Sequence, residues 1–118
     1  MHRKKFVFAA MLMLAALLLS ACSTTPSTKE VTLIGTDIAW NLDIIDAQAG
    51  QTLEITVRNE GVLDHDFVIE AFDVDILLSP GAEQTVTIVP DQAMVIDYIC
   101  SIPGHEEAGM VGQIIVTE

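Results

Sequence analysis

The sequence predicts an all-β domain of seven or eight short strands, packed as an antiparallel sandwich or a small barrel. From Glu30 onward, polar and apolar residues alternate in short runs, and no apolar pattern at helical spacing lasts. Turn-forming residues separate these runs at intervals typical of sandwich proteins. The chain has 118 residues, which is enough for one such domain.

The strands are predicted from alternation within each run. Residues 52–58 alternate cleanly, residues 85–88 do the same, and residues 113–117 form the last run. In residues 94–100, Met94, Ile96, Tyr98 and Cys100 share one face, so Met94 is expected in the core. Turns are predicted at Ala49-Gly50-Gln51, Asn59-Glu60-Gly61, Ser79-Pro80-Gly81, Val89-Pro90-Asp91 and Pro103-Gly104. Trp40 and Phe72 are interpreted as core or edge aromatics without a role in a site.

The N-terminus has the layout of a secretory signal peptide. The basic residues Arg3-Lys4-Lys5 precede fourteen consecutive apolar residues, Phe6 to Leu19. As a helix this run would span ~21 Å, which is short of the ~30 Å hydrocarbon core of a membrane. The tetrapeptide Leu19-Ser20-Ala21-Cys22 resembles the bacterial lipobox, in which the cysteine thiol is lipidated and becomes the first residue. A soluble exported protein and an uncleaved anchor are the alternatives.

The segment after Cys22 is interpreted as a tether. Residues 23–29 read STTPSTK, which is polar and contains a proline. We therefore predict a signal peptide over residues 1–21, a lipidated Cys22 with its tether over 22–30, and a folded domain over 31–118. The expected location is the cell envelope, at the outer face of the cytoplasmic membrane or in the periplasm.

The predicted domain is strongly acidic. The chain has seventeen Asp and Glu against five Lys and Arg, for a net charge of −12. Three of the five bases lie in the signal segment, so only Lys29 and Arg58 remain in the rest of the chain. Such a surface repels phosphate backbones, which excludes nucleic-acid binding. It favours a transient partner with a basic face.

One segment carries a thiol, an imidazole and a thioether at equal gaps, namely Cys100, His105 and Met110. A second imidazole, His65, begins a run in which Phe67 shares its face, so this ring is expected to point inward. Two imidazoles, one thiolate and one thioether are the ligand set of a mononuclear blue-copper site. Soft sulfur suits Cu(I) and imidazole suits both oxidation states, so the set favours one copper ion that cycles between them.

Each of these residues also has an ordinary interpretation. An inward cysteine is usually a small buried hydrophobe, and Met110 alone would be packing. A Cys22–Cys100 disulfide would also account for the thiol. Zinc binds cysteine and histidine well, but the thioether argues against it. Glu106 and Glu107 are interpreted as exposed loop acids rather than as ligands of a hard ion.

Two motifs resemble the cupredoxin family of blue copper proteins over about residues 31–118. They are Asn59-x-Gly61-x-x-x-His65-x-Phe67 and Tyr98-x-Cys100-x-x-Pro103-Gly104-His105-x-x-x-Gly109-Met110-x-Gly112. The spacing in the second motif is similar to the auracyanin type of loop, whereas plastocyanin has a shorter gap between cysteine and histidine. The resemblance implies a Greek-key β-sandwich with one copper ion bound by His65, Cys100, His105 and Met110.

The family often has asparagine after its first histidine, near the ligand thiolate, whereas this chain has Asp66. If Asp66 takes that place, its negative charge should favour Cu(II) and lower the reduction potential.

The resemblance implies a carrier of single electrons between redox proteins, such as c-type cytochromes or membrane redox complexes. The lipobox-like tetrapeptide would tether this carrier to a membrane, and a monomer is the default for such a shuttle. Four protein ligands leave no open position for a substrate, so we expect no enzymatic activity. A copper delivery or storage protein of the cell envelope is the alternative, since it could use the same residues. A structural or adhesive sandwich without metal is the third interpretation, and it predicts that Cys100→Ser changes nothing.

Overall fold

The computed structural model describes residues 26–118, which form two β-sheets packed face to face. The predicted signal peptide and Cys22 lie outside the described residues. The strands are β1 (Thr28–Thr36), β2 (Ala39–Trp40), β3 (Ile44–Gln48), β4 (Thr52–Asn59), β5 (His65–Ile69), β6 (Val74–Leu78), β7 (Glu83–Ile88), β8 (Met94–Ile99) and β9 (Val111–Thr117). A single 3-10 turn, Glu70–Phe72, is the one helical element of this part of the chain. The predicted all-β sandwich is confirmed, with nine strands rather than seven or eight.

The alternation predicts purely antiparallel sheets, but each of the two sheets contains one parallel pair of strands. The first has the order β2-β1-β4-β7 and the second β3-β9-β8-β5-β6. β1 runs parallel to β4, and β3 runs parallel to β9, while the other pairs are antiparallel. The chain passes from β2 in the first sheet to β3 in the second and returns with β4, and such a crossover places β4 parallel to β1. Alternation reports which face a residue occupies and carries no information on the direction of the neighbouring strand.

The folded part begins earlier than residue 31. Thr28 pairs with Thr52 at the start of β1, and Lys29 pairs with Leu53. Residues 28–30, which we expected in the tether, therefore belong to the first sheet. These three residues are polar because they lie at the exposed or half-exposed end of the strand, where no apolar side chain is required. Their composition therefore resembles that of a linker.

The core lies between the sheets and is formed by the inward side chains of the alternating strands. The fully buried residues include Leu53, Ile55 and Val57 of β4 and Ile96 and Tyr98 of β8. Each such side chain stabilises the fold by roughly 1.5–3 kcal/mol through removal of its apolar surface from water. Trp40 is also buried, and the partly buried Phe72 and Met94 pack against the same core, as predicted.

Strand β8, which leads into the cysteine, is held in place by Tyr98. The Tyr98 hydroxyl donates a hydrogen bond to the Leu42 carbonyl at 2.5 Å, and its ring lies against Gly112. A Cβ atom on Gly112 would lie 2.2 Å from Tyr98 Cζ, so only glycine fits there. Burial, with a smaller contribution from the charge of Asp43, raises the pKa of Tyr98 to about 12.

The described residues, 26–118, include no helix of the length and apolarity needed to cross a membrane.

Candidate metal centre

His65 is the first residue of β5, and its side chain is fully buried. The loop that precedes it is fastened by Asn59, a buried residue at the end of β4. The Asn59 amide donates to the carbonyls of Leu63 and Leu78, both at 2.8 Å, and its oxygen accepts from the Gly61 N–H at 2.9 Å. The motif Asn59-x-Gly61 therefore fixes the position at which the chain enters β5.

Residues 100–110 form a closed loop between β8 and β9. The Cys100 N–H donates to the Met110 carbonyl at 3.0 Å, and the Met110 N–H donates to the His105 carbonyl at 3.0 Å. The His105 N–H donates to the Ile102 carbonyl at 2.9 Å, which closes the first turn of the loop. Gly104 and Gly109 take φ values of 89° and 100°, which L residues with a side chain rarely adopt. These bonds bring the two ends of the loop together.

The structure brings three of the predicted ligands to one point. His65 Nδ1 lies 3.2 Å from His105 Nδ1 and 3.9 Å from Cys100 Sγ, and Cys100 Sγ lies 3.4 Å from His105 Nδ1. All three residues are buried, and His105 is the most exposed of them at 7%. Both imidazoles thus turn the same nitrogen, Nδ1, toward the thiol.

The triangle formed by these atoms fits a metal ion. A point equidistant from the three atoms lies about 2 Å from each, which is close to the ~2.0–2.3 Å that imidazole nitrogen and thiolate sulfur keep from a bound zinc ion. Two nitrogens and one sulfur in a trigonal arrangement are the donor set typical of blue copper. The residues present therefore fit one copper ion.

Met110, the fourth predicted ligand, is also fully buried in this region. Its backbone bonds to both Cys100 and His105. Its methyl group lies against Gly35 of β1, where an added Cβ would approach Met110 Cε to 3.2 Å. The side chain is thus enclosed between the loop and β1, and its role as an axial ligand stays a prediction.

Asp66, the residue after His65, joins β5 to the residue after the cysteine. Its two oxygens accept hydrogen bonds from the Ser101 N–H and hydroxyl, each at 2.5 Å. Asp66 is 9% exposed, whereas Ser101 is exposed, so the connection is only partly shielded from water. The carboxylate therefore links the element that carries His65 to the loop that carries Cys100, and its effect on the reduction potential stays a prediction.

Burial raises the pKa of the Cys100 thiol, and the backbone N–H groups of Asp66 and Ile102 oppose that rise by donating to the sulfur. The charge of Asp66 adds to the rise. A thiolate in this position needs a cation nearby, since its charge is removed from water. A metal ion between the two imidazoles would supply that charge.

Two residues beside His65 were not identified from the sequence as part of the site. Trp40, interpreted as a core or edge aromatic without a role in a site, has its ring centroid 6.4 Å from that of His65. Asp37, in the turn after β1, has Oδ1 3.2 Å from His65 Nε2. The Val62 N–H lowers the pKa of Asp37, and the Leu63 N–H and His65 lower it further against the opposing effect of burial. Neither residue belongs to a motif at recognisable spacing from the ligands, so the sequence held no signal for them.

Glu106 and Glu107 are exposed in the loop, as predicted, and the cluster of metal-binding side chains in the described part of the chain consists of His65, Cys100 and His105. The pairing of Cys22 with Cys100 involves a residue outside the described range.

Comparison with known proteins places this geometry in a family. A family model described as a cupredoxin-like domain matches residues 9–116. Among solved structures, reduced auracyanin from Roseiflexus castenholzii is similar with a TM-score of 0.68 and 18% identity, over 78% of this chain and 99% of that one. Rusticyanin from Thiobacillus ferrooxidans is similar with a TM-score of 0.63 and 23% identity, over 78% of this chain and 79% of that one.

One curated relative matches a shorter segment. The copper-resistant cuproprotein CopI of Pseudomonas aeruginosa is 42% identical over 41 residues, which is 35% of this chain. The match spans only 23% of that protein's length. The family match and the His65, Cys100 and His105 cluster together support one copper ion as the cofactor.

Proposed function

This chain belongs to the cupredoxin-like family, and from that premise we propose that it carries single electrons through one copper ion bound by His65, Cys100, His105 and Met110. The observation that supports the proposal most strongly is the cluster itself. Donor atoms of His65, Cys100 and His105 lie within 4.8 Å of one another, although His65 is far from the other two in sequence.

The protein's contribution to electron transfer is to hold the donors still. Copper, when bound, supplies a reversible one-electron couple. His65 is set by strand β5, and Cys100 is set by the end of β8 and by its backbone bond to Met110. Because both strands belong to the same sheet, the donors move little when the charge of the site changes, and small rearrangement favours fast transfer.

His105 is the donor best placed to pass the electron to a partner. Its side chain is 7% exposed, whereas His65 and Cys100 are fully buried. It lies in the loop beside the exposed residues Pro103, Gly104 and Ala108. Contact at this loop would bring a partner's redox centre nearest to the copper site.

We propose electron transfer without enzymatic turnover. Three protein donors surround the site at short distance, and with Met110 as the fourth ligand no position would remain open for a substrate. A second group of side chains able to hold another metal ion is not found among residues 26–118.

The match to CopI favours a second candidate, a copper delivery or storage protein of the cell envelope. Both functions would use the same donors, so spectroscopy must separate them. A carrier keeps a stable cupric form, in which thiolate bonded to Cu(II) gives an intense visible absorption. A Cu(I) delivery protein would stay colourless in air.

The deciding experiment is an optical and electron paramagnetic resonance spectrum of the copper-loaded protein, before and after a mild reductant. We expect an intense visible band and a cupric signal, both lost on reduction and restored on reoxidation. Cys100→Ser is the matched variant, since it keeps a small polar side chain but removes the sulfur, and it should abolish the band. A protein that binds copper and never shows the band would contradict electron transfer and favour delivery or storage.

We also propose that the protein is exported and anchored by a lipid on Cys22. The lipobox-like tetrapeptide and the polar segment after it support the proposal. Mass spectrometry of the mature N-terminal peptide tests it: the expected result is a diacylglyceryl-modified peptide that begins at Cys22. An unmodified Cys22, or a retained signal peptide, would overturn it.

The proposed partner is a redox protein with a basic face, such as a c-type cytochrome. The two bases among residues 26–118 are already engaged, because Arg58 forms ion pairs with Glu83 and Glu60, and Lys29 donates to the Asp46 carbonyl. The acidic surface is therefore almost uncompensated, which attracts a cationic partner at low salt. The protein would act as a monomer, as suits a transient carrier.

A further inference from the structure

The side of His65 that faces away from the thiol meets a carboxylate. Asp37 Oδ1 lies 3.2 Å from His65 Nε2, while His65 Nδ1 faces Cys100 and His105. A ring that offers Nδ1 to a metal must carry its proton on Nε2, and a carboxylate can only accept. The geometry therefore assigns the Nε2–H tautomer to His65, with Asp37 as the acceptor of that proton's hydrogen bond.

The segment before His65 is built around this carboxylate. Asp37 Oδ2 accepts from the Val62 N–H at 2.8 Å, and Oδ1 accepts from the Leu63 N–H at 3.3 Å. A Cβ atom on Gly61 would lie 2.1 Å from Asp37 Oδ1, so an alanine there would displace the carboxylate. Gly61 thus leaves the space that the Asp37 carboxylate occupies, and the next two residues donate hydrogen bonds to it.

The position of Asp37 also differs from that of an ordinary surface acid. Its side chain is 28% exposed, whereas the imidazole that it contacts is fully buried. It approaches His65 from the turn after β1, which lies in the opposite sheet from β5. The contact therefore bridges the two sheets at the site.

We propose that Asp37 is a positioning residue for the copper site: it fixes the tautomer and orientation of His65 and shifts the copper equilibrium toward Cu(II). This inference rests on the proposed function. A carboxylate that accepts from the outer N–H of a ligand imidazole raises the basicity of the metal-bound nitrogen. Its negative charge also favours the more highly charged ion, so its loss should raise the reduction potential.

The first test uses the copper-loaded full chain with Asp37→Asn, Asp37→Ala and the control Asp64→Asn. Asp64 is exposed and adjacent to His65 in sequence, so its replacement makes the same change in net charge without touching the ring. We expect Asp37→Asn to raise the ratio of Cu(I) to Cu(II) affinity about tenfold, which is about 59 mV for a one-electron couple. Asp37→Ala should raise it more, because the hydrogen bond is lost together with the charge.

Gly61→Ala is an independent variant that changes no charge. It should displace the Asp37 carboxylate and raise the potential in the same direction as Asp37→Ala. Equal reduction potentials in wild type, Asp37→Asn and Asp64→Asn would overturn the inference about Asp37. If all three proteins still showed the blue absorption, the proposed electron-transfer function would be unaffected.

The second test needs no copper. Nitrogen-15 spectra of histidine in the metal-free protein should show His65 as the Nε2–H tautomer, with a slowly exchanging proton. In Asp37→Ala this proton should exchange at least tenfold faster. A wild-type His65 with its proton on Nδ1 would overturn the inference, even if Asp37→Ala fails to fold or the protein fails to bind copper as proposed.

Discussion

The hydrogen bonds from Ser101 to Asp66 predict a measurable loss of stability when the carboxylate is removed. Asp66→Ala deletes two acceptors that lie 2.5 Å from their donors. Hydrogen bonds to charged groups contribute ~1.5–3 kcal/mol each. Ser101 is exposed, so water takes over its donors in the variant and recovers part of this free energy. We therefore expect the free energy of unfolding of the metal-free protein to fall by about 2 kcal/mol.

Asp66→Asn separates the hydrogen bonds from the charge. The carboxamide oxygen can accept from the Ser101 N–H, while its NH2 group donates to the Ser101 hydroxyl. The free energy of unfolding should then fall by less than about 1 kcal/mol. Because the negative charge near the thiolate is gone, the reduction potential of the copper-loaded form should rise by about 60 mV, a tenfold change for one electron.

Urea unfolding followed by circular dichroism measures the first effect, and a redox titration of the visible band measures the second. Asp64→Ala and Asp64→Asn are the controls, since Asp64 is exposed and lies two residues from Asp66. If the free energy of unfolding of Asp66→Ala is within about 0.5 kcal/mol of the wild-type value, the two hydrogen bonds do not join β5 to the loop as described. If Asp66→Asn leaves the potential unchanged, the carboxylate has no electrostatic effect on the copper.

Three further predictions follow from other parts of the structure. The pKa of Tyr98 rises from 10.0 in the unfolded chain to about 12 in the fold. The contribution of Tyr98 to the free energy of unfolding is therefore complete below pH 10, and about 3 kcal/mol of it is lost as the pH rises toward 12. Absorbance titration of this single tyrosine measures the pKa, and ionisation near pH 10 in the folded protein would contradict the prediction. Unfolding of Tyr98→Phe is the control, since the variant should show no such loss of stability at high pH. Gly112→Ala should lower the free energy of unfolding by about 3 kcal/mol through overpacking and loss of the Tyr98 hydrogen bond. The control Gly50→Ala should lower it by roughly 1 kcal/mol, because Gly50 has a positive φ but no neighbour that a methyl group would meet. Equal losses for the two variants in denaturant unfolding would refute the close packing of Gly112 against Tyr98. The rate of electron transfer to a basic cytochrome should fall steeply with added salt, and a flat or rising stopped-flow rate would argue against an acidic docking surface.

The strands and the buried donors could be predicted because local patterns specify them. Alternation in residues 52–58 and 94–100 indicates which side chains face the core, and β4 and β8 bury the expected residues. The ligand loop is short and local, so Cys100, His105 and Met110 could be grouped by spacing alone. His65 could be added because its strand turns it inward among core residues.

The rest depends on which strands become neighbours, and spacing does not encode that. The parallel pairing of β1 with β4 results from the crossover through β2 and β3, and it also draws residues 28–30 into the sheet. The contact of Asp37 with His65 exists only because the turn after β1 reaches the other sheet at this end. Trp40 was expected in the core or at an edge and is buried, but its approach to His65 likewise requires the packed sandwich.

The most direct test of the copper site is anomalous diffraction at the copper edge from crystals of the copper-loaded protein. The expected result is one strong peak per molecule, at bonding distance from His65 Nδ1, His105 Nδ1 and Cys100 Sγ. A peak at any other place in the molecule, or His65 turned away from the ion, would contradict the description of these three residues as one metal centre.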